Sequence, residues 1–312
     1  MKKSIKYLLI AFVLLIGSNL KSQNQFHVSQ YMLHHGFINP GAIGNSNALN
    51  GAIFYRNQWT GMSGAPTVMG LNFNKPFTKG KNHLGFTVVH DQIGVSKNFE
   101  FTLTYAYRMK LGVNKYLSLG LSGTISLMQS NYSLVETTDA NDPIFSASTP
   151  TFTLPNSKFG AYYFSPKFYV GFAIPNLLEN KVIYDNTYTG VTEFNPKNLH
   201  YYLHTGYSFT LNENFDLNPS VLIKQVTGSP LSIDVNAQIM YKKKLGAGLS
   251  FRTTNELIGL LNYQVSQNFR LAYAYDFNWG QLGSFSKGSH EIMLIFRYME
   301  KKGIPAIESP RF

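Results

Sequence analysis

One pattern limits what this chain can become. Along most of its length, apolar and aromatic residues alternate one for one with small polar residues. From Phe99 to Met109, one face carries Phe99, Phe101, Leu103, Tyr105, Tyr107 and Met109, and the other Glu100, Thr102, Thr104, Ala106 and Arg108. Between Tyr116 and Leu127, Leu117, Leu119, Leu121, Ile125 and Leu127 oppose Ser118, Gly120, Ser122, Thr124 and Ser126. Leu199, Tyr201, Leu203, Tyr207, Phe209 and Leu211 oppose His200, His204, Gly206, Ser208 and Thr210, and residues 269–277 repeat the device. Successive side chains point to opposite faces only in a strand; wound into a helix, the same residues would scatter their apolar groups around the axis. The chain reads as all-β.

The apolar face could be a soluble core or a lipid surface, and the opposite face decides between them. A soluble sandwich would carry solvated Lys and Glu there. This chain places mainly Gly, Ser, Thr and Ala there, with isolated charges at Glu100, Arg108, Asp234, Arg252, Asp276 and Glu291. Such a face suits a barrel lumen, where the charges pair across the interior. The composition agrees: 20 Tyr and 24 Phe accompany a charged fraction of only 14%. After the N-terminus there is no apolar run of the ~20 residues that a membrane helix needs. Aromatic clusters at strand ends (Tyr162-Tyr163-Phe164, Tyr201-Tyr202 and Trp279) fit interfacial girdles. The expectation is a transmembrane antiparallel β-barrel.

Alternation and turn residues predict strands over 49–59, 66–77, 83–93, 97–110, 116–134, 157–166, 168–175, 199–211, 214–227, 230–243, 245–253, 256–266, 268–278 and 289–299, about fourteen in all. Even-numbered strands end in tight connections such as 112–115, 166–167 and 243–244. The long connections, 135–156, 176–198 and 280–288, all follow odd-numbered ones. Short periplasmic turns and long extracellular loops alternate in this way in outer-membrane barrels.

Before the strands, Met1-Lys-Lys-Ser-Ile-Lys leads into an apolar stretch from Tyr7 to Ile16 and a polar exit at residues 17–22, the form of a signal peptide. The expected organisation is a signal peptide at 1–22, an N-terminal periplasmic or plug segment at 23–48, a barrel at 49–299 and a C-terminal tail at 300–312. Removing residues 1–22, which hold Lys2, Lys3, Lys6, Lys21 and no acid, would lower the formal charge of +11 by four, to +7. That excess is modest and spread along the chain. It could face anionic lipid or an acidic partner, and no basic run with interleaved aromatics points to nucleic acid. The chain has no cysteine, so it offers neither disulfides nor a lipoprotein anchor.

Catalytic arrangements are sparse. His200 and His204 lack the glutamate of a helical zinc pair and share one strand face, as lumen or interfacial histidines would. His34-His35 has no carboxylate or thiol beside it to complete a metal site. His90-Asp91 could orient a nucleophile, but Gly120-Leu-Ser-Gly123 lacks the last spacer of a nucleophile elbow. No catalytic, metal or cofactor site is expected, and the chain is not expected to be an enzyme.

The distinctive local sequence lies near the start. It comprises Asn39-Pro40-Gly41-Ala42 and Gly44, Tyr55-Arg56-Asn57-Gln58-Trp59, Gly61, Gly64-Ala65-Pro66, then Leu84-Gly85, Asp91 and Gly94. Together with Gly283, Ser289-His290-Glu291, a last strand from Ile292 to Tyr298 and Pro310-Arg311-Phe312, it resembles the PorP/SprF proteins. The likeness is carried by about the first 70 residues after residue 22 and by the final strand. It departs at Gly41-Ala42, where Ala would directly follow Pro.

This resemblance implies an outer-membrane component of the type IX secretion system of Bacteroidetes that performs no catalysis. It implies work with a periplasmic ring and its associated lipoprotein, or beside a dedicated secreted adhesin, sometimes in gliding motility. An outer-membrane porin or small-solute channel is the alternative, since a lumen of Gly, Ser and Thr would suit one. Asn39, Pro40 and Gly41 are expected to set a turn folding residues 26–48 into or under the barrel. Arg56, Gln58 and Trp59 are candidates for fixing that segment or meeting a partner. Two plainer roles stand beside these: Arg56 as a lumen charge paired with Glu100, Asp234 or Glu291, and Trp59 as a girdle residue.

Overall fold

The computed structural model describes residues 26–77, 80–135, 148–185, 187–227, 229–299 and 310. The expected signal peptide lies outside them, as does the tail apart from Pro310. Strands follow one another as Leu49–Asn57 (β1), Thr67–Phe77 (β2), Asn82–Ile93 (β3), Ser96–Gly112 (β4), Lys115–Ser130 (β5), Phe152–Phe164 (β6), Phe168–Ile174 (β7), Glu179–Asp185 (β8) and Thr187–Glu193 (β9). They continue as His200–Tyr207 (β10), Phe209–Thr210 (β11), Phe215–Val226 (β12), Ser232–Tyr241 (β13), Leu245–Arg252 (β14), Glu256–Gln264 (β15), Phe269–Asn278 (β16) and Ser289–Tyr298 (β17).

Pairing in the barrel is antiparallel between chain neighbours, except that β7 pairs with β10 across the separate β8–β9 hairpin, and β1 pairs with β17. The short strands β10 and β11 lie in line and both pair with β12; the Ser208 N–H between them bonds to Lys167 O at 2.8 Å. Counted as one stave, they complete a closed barrel of fourteen, as the alternation predicts.

The faces follow the pattern that defined them. On β4, Leu103 is 68% exposed while its neighbour Thr102 is 3% exposed. Leaving such residues bare to water would forgo about 1.5–3 kcal/mol per side chain, so the outward belt fits lipid. The inward face closes with hydroxyl pairs, Thr102–Thr124 at 2.9 Å and Thr104–Ser122 at 2.8 Å.

Several expectations need correction. The strand expected over 49–59 ends at Asn57: Gln58 N–H bonds to Pro66 O, and Trp59 turns into the left-handed region at φ 50°. β6 begins at Phe152, ahead of the expected residue 157. It reaches past Pro155 because only β5 pairs there, pairing with β7 starting at Phe159. The connection expected over 176–198 holds a hairpin of its own, β8–β9. Of the proposed girdle aromatics, Trp279 is exposed, but Tyr162, Phe164 and Tyr202 are buried in the lumen. Their aromatic neighbours Tyr163 and Tyr201 take the other face, so side-chain parity, not clustering, sets the direction.

The connections sort onto two rims. One carries the tight turns β2–β3, β4–β5, β6–β7, β11–β12, β13–β14 and β15–β16, together with the start of β1 and the end of β17. The other carries the seven remaining connections, β1–β2, β3–β4, β5–β6, β7–β10, β12–β13, β14–β15 and β16–β17, which include all the long ones. Replacing Leu121 on the belt by Arg should destabilise the membrane-inserted barrel by about 2–4 kcal/mol, as read by urea unfolding from liposomes. Ser122→Ala, on the opposite face, should cost far less.

Candidate functional site: a lumen occupied by the leading segment

Residues 26–48 run through the barrel. They begin beside the long-connection end and finish at the short-turn rim, where β1 starts. Three short 3-10 turns, Tyr31–Leu33, His35–Phe37 and Pro40–Gly44, keep them compact. Three levels of contact hold them.

The first level is ionic. Arg56 on β1 and Glu291 on β17 are cross-strand partners at the seam where the barrel closes. Arg56 Nη2 lies 2.7 Å from Asp276 Oδ2 and Nη1 lies 3.4 Å from Glu291 Oε2, and all three residues are buried. The segment joins this group through Ser29. Its hydroxyl accepts from Arg56 Nη1 at 2.9 Å and donates to Asp276 Oδ2 at 2.7 Å. Glu291 also accepts the backbone N–H groups of Ser29 (2.8 Å) and Gln30 (3.0 Å). Alongside, Arg252 pairs with Asp234 at 2.9 Å and with Glu256, while Lys224 Nζ lies 3.3 Å from His27 Nδ1. Charges so deeply buried persist only when paired and hydrogen-bonded.

The second level is aromatic. The His35 ring lies 4.5 Å from Tyr169, 5.0 Å from His204 and 5.6 Å from Tyr162, centroid to centroid. Phe37 meets Phe54 edge-on at 4.8 Å. Tyr31 Oη accepts from Asn236 Nδ2 at 2.6 Å, and His34 Nε2 lies 2.6 Å from Asn72 Oδ1. On this segment, burial and then the neighbouring His204 hold His35 well below the usual imidazole range. Burial lowers His34 too, against the opposing effect of its bond to Asn72. Both rings are neutral at pH 7; His35 packs against the two tyrosines, and His34 meets Phe37 edge-on at 5.2 Å.

The third level is steric. Asn39 Oδ1 accepts Gly41 N–H at 2.8 Å, and Pro40 occupies the first position of the 3-10 turn, where no N–H is needed. Asn39 Nδ2 donates outward to Ala161 O at 3.1 Å and Phe172 O at 3.2 Å, with His204 Nε2 at 3.0 Å. This turn sits in a seat of wall glycines. A Cβ on Gly120 would strike the Pro40 carbonyl, and one on Gly160 would strike Asn39 Oδ1. A Cβ on Gly41 would come within 2.8 Å of Ser118 O. Below this, Arg108 donates to Gly44 O at 3.1 Å and to Asn47, and Arg297 Nη2 donates to Ser46 Oγ at 3.0 Å.

The cavities beside the segment are small. One of about 100 Å³ lies between residues 32–36 and Asn74, Arg270 and Arg297, bordered by Pro310; another of about 20 Å³ adjoins Lys158 and Glu100.

The six residues singled out in the sequence therefore separate. Asn39, Pro40 and Gly41 are buried together in the glycine seat. Arg56 is buried on the seam, bound to Ser29, Asp276 and Glu291. Of its three expected partners, Glu291 is found, whereas Glu100 pairs with Lys158 and Asp234 with Arg252. Gln58 and Trp59 lie outside the lumen on the β1–β2 connection, where Trp59 N–H donates to Ser289 Oγ at 3.1 Å. Sequence reasoning missed Ser29 and Gln30. It also missed Gly120, Gly160 and Gly171, although these glycines all fall on the inward register of consecutive strands.

A family model described as type IX secretion system membrane protein PorP/SprF matches residues 20–296. The chain belongs to the PorP/SprF family. This PorP/SprF barrel is thus an outer-membrane component of the type IX secretion system. No curated protein matches its sequence. Solved structures similar to it include the Acinetobacter baumannii outer membrane protein Omp33, at 10% identity, covering 82% of this chain and 100% of that one with a TM-score of 0.43. The monoaromatic hydrocarbon channel CymD is similar at 11% identity, 90% and 94% coverage and a TM-score of 0.47. The P. putida toluene transporter TodX is similar at 7% identity, 88% and 95% coverage and 0.45. Likenesses of this size carry no argument about activity.

Two substitutions separate the modes of attachment. Arg56→Ala leaves two buried carboxylates without their guanidinium and should cost about 3–5 kcal/mol, seen as a lower temperature for the barrel's electrophoretic heat-modifiability. Gly160→Val should expel the Asn39–Gly41 turn and expose residues 26–48 to protease while the barrel stays folded.

Proposed function

We propose that this PorP/SprF barrel is a non-enzymatic docking component that assists the secretion or surface attachment of type IX cargo. The observation that carries the reading is the occupied lumen. A conduit for small solutes needs open cross-section, whereas here ionic, aromatic and steric contacts hold residues 26–48 inside. What remains to meet other molecules is the outside: the rims, the β1–β2 connection with Gln58 and Trp59, and the β8–β9 hairpin. The partner would be a periplasmic ring with its lipoprotein or a dedicated secreted adhesin, in a bacterium of the Bacteroidetes where the adhesin can serve gliding motility. The non-catalytic reading is supported by the engagement of lumen side chains with one another. His90, for its part, stacks on Phe99 at 4.1 Å, with Nδ1 near Asn98 O at 3.3 Å.

In this reading residues 1–22 direct export, and the short-turn rim faces the periplasm, as in other outer-membrane barrels. The absence of cysteine makes orientation directly readable. A Ser63→Cys variant in whole cells should react with an impermeant maleimide, and Val113→Cys should react only after the outer membrane is opened. The reverse pattern would invert the assignment.

The function itself is tested by deleting the gene and cataloguing surface proteins. Loss of one or more exported adhesins is expected, and an unchanged surface with intact motility would refute it. In planar bilayers the intact protein should pass little current. Large ungated conductance would favour the channel.

A further inference from the structure

The positive charge that looks scattered in the sequence is gathered by the fold. Among the described residues, Lys75 and Lys81 flank the β2–β3 turn, Lys110 and Lys115 the β4–β5 turn, Lys167 lies in the β6–β7 turn, and Lys242, Lys243 and Lys244 make the β13–β14 turn. All eight are exposed and all lie at the short-turn rim. The acids described near that rim are Glu213 and the half-buried Asp216, both beside the β11–β12 turn. The other rim is mixed: Lys97, Lys181, Lys197 and Lys287 share it with Asp91, Glu179 and Glu193, and Lys181 is paired with both glutamates at 3.1 and 2.7 Å.

We infer that the short-turn rim is a lysine collar that binds the phosphate head groups of anionic phospholipid. Its height on the barrel supports lipid over a protein partner. Lys75 lies on the outward face of β2 between Phe73 and Phe77, both exposed, and Lys242 stacks on outward Tyr241 at 5.3 Å. Phe215 and Tyr263 continue this aromatic ring around the wall. Aromatic residues sit at the head-group level, and lysines beside them can keep their methylenes along the apolar wall while the ammonium reaches the phosphates. The β13–β14 turn holds Lys242 and Lys243 in the left-handed region, at φ 47° and 56°, giving three successive ammonium groups in one tight hairpin. Four of the six tight turns contribute, so the charge spans much of the circumference instead of forming one patch. Lysines near an anionic surface act additively and are screened by salt. The collar belongs to the rim itself; only the leaflet it meets rests on the orientation proposed above, which cysteine labelling reads separately.

The test uses the intact chain in detergent, titrated with short-chain phosphatidylglycerol or phosphatidylcholine and read by native mass spectrometry at two salt concentrations. The wild type should retain phosphatidylglycerol preferentially, and more strongly at low salt. Combining Lys75→Gln with K242Q, K243Q and K244Q should reduce that preference at least about fivefold, whereas K97Q, K197Q and K287Q together should leave it intact. Equal retention of both lipids by the wild type would overturn the proposal. So would a preference that survives collar neutralisation, including the case where the collar variant binds lipid normally but loses cargo export, which would make the rim a protein surface.

Discussion

The structure depends most on the ion group at the barrel's seam. Arg56 stands on the first strand, Glu291 on the last and Asp276 on the one before it, so the pairing bridges the two ends of the chain where they must meet. Ser29 and Gln30 complete the group from inside, giving Glu291 two backbone N–H donors and placing a hydroxyl between Arg56 and Asp276. In a low-dielectric wall such charges would be costly alone. The lumen segment is therefore part of what makes the seam tolerable, and the seam is what holds the segment's first turn.

The rest of the interior follows from that division of labour. Where the wall is ionic, the segment contributes hydrogen bonds; where it is aromatic, neutral histidine and phenylalanine rings; where it is bare glycine, a turn rigidified by Pro40. The zones overlap along the strands: β1 carries both Arg56 and Phe54, and β6 and β7 carry both tyrosines and glycines. Gly120 of β5 and Gly160 of β6 leave the space that Asn39, Pro40 and Gly41 fill, and Gly171 of β7 leaves room for His204 and Asn39. A lumen filled this way makes the outer surface, not the bore, the place to look for partners.

Much of the fold was legible in the sequence because strict alternation leaves a strand no alternative. All fourteen staves were found, and the unequal connections already assigned the rims. Departures came where local chemistry overrode the rhythm. A left-handed Trp59 ended β1, and Pro155 was admitted into β6 where one neighbour was absent. Of the site, the Asn39-Pro40-Gly41 turn and the buried guanidinium were readable from residue type. The partners of Arg56 were not, since choosing among several lumen acids requires the register of closure. The lysine collar was invisible for a similar reason: its members are spread from Lys75 to Lys244, and only an up-and-down chain brings every second turn to one level.

Glu291 is presented by the final strand, yet two of the groups it receives belong to residues among the first that the structure describes. Until β17 is made and laid against β1, that carboxylate is not in place for Ser29 and Gln30, and Arg56 lacks both of its acids. Whatever route brings the segment in, its bonds to Glu291 exist only once the last strand lies against the first. The last strand thus sets when Ser29 and Gln30 gain their final partners, so the two ends of the described chain are tied together at a single carboxylate.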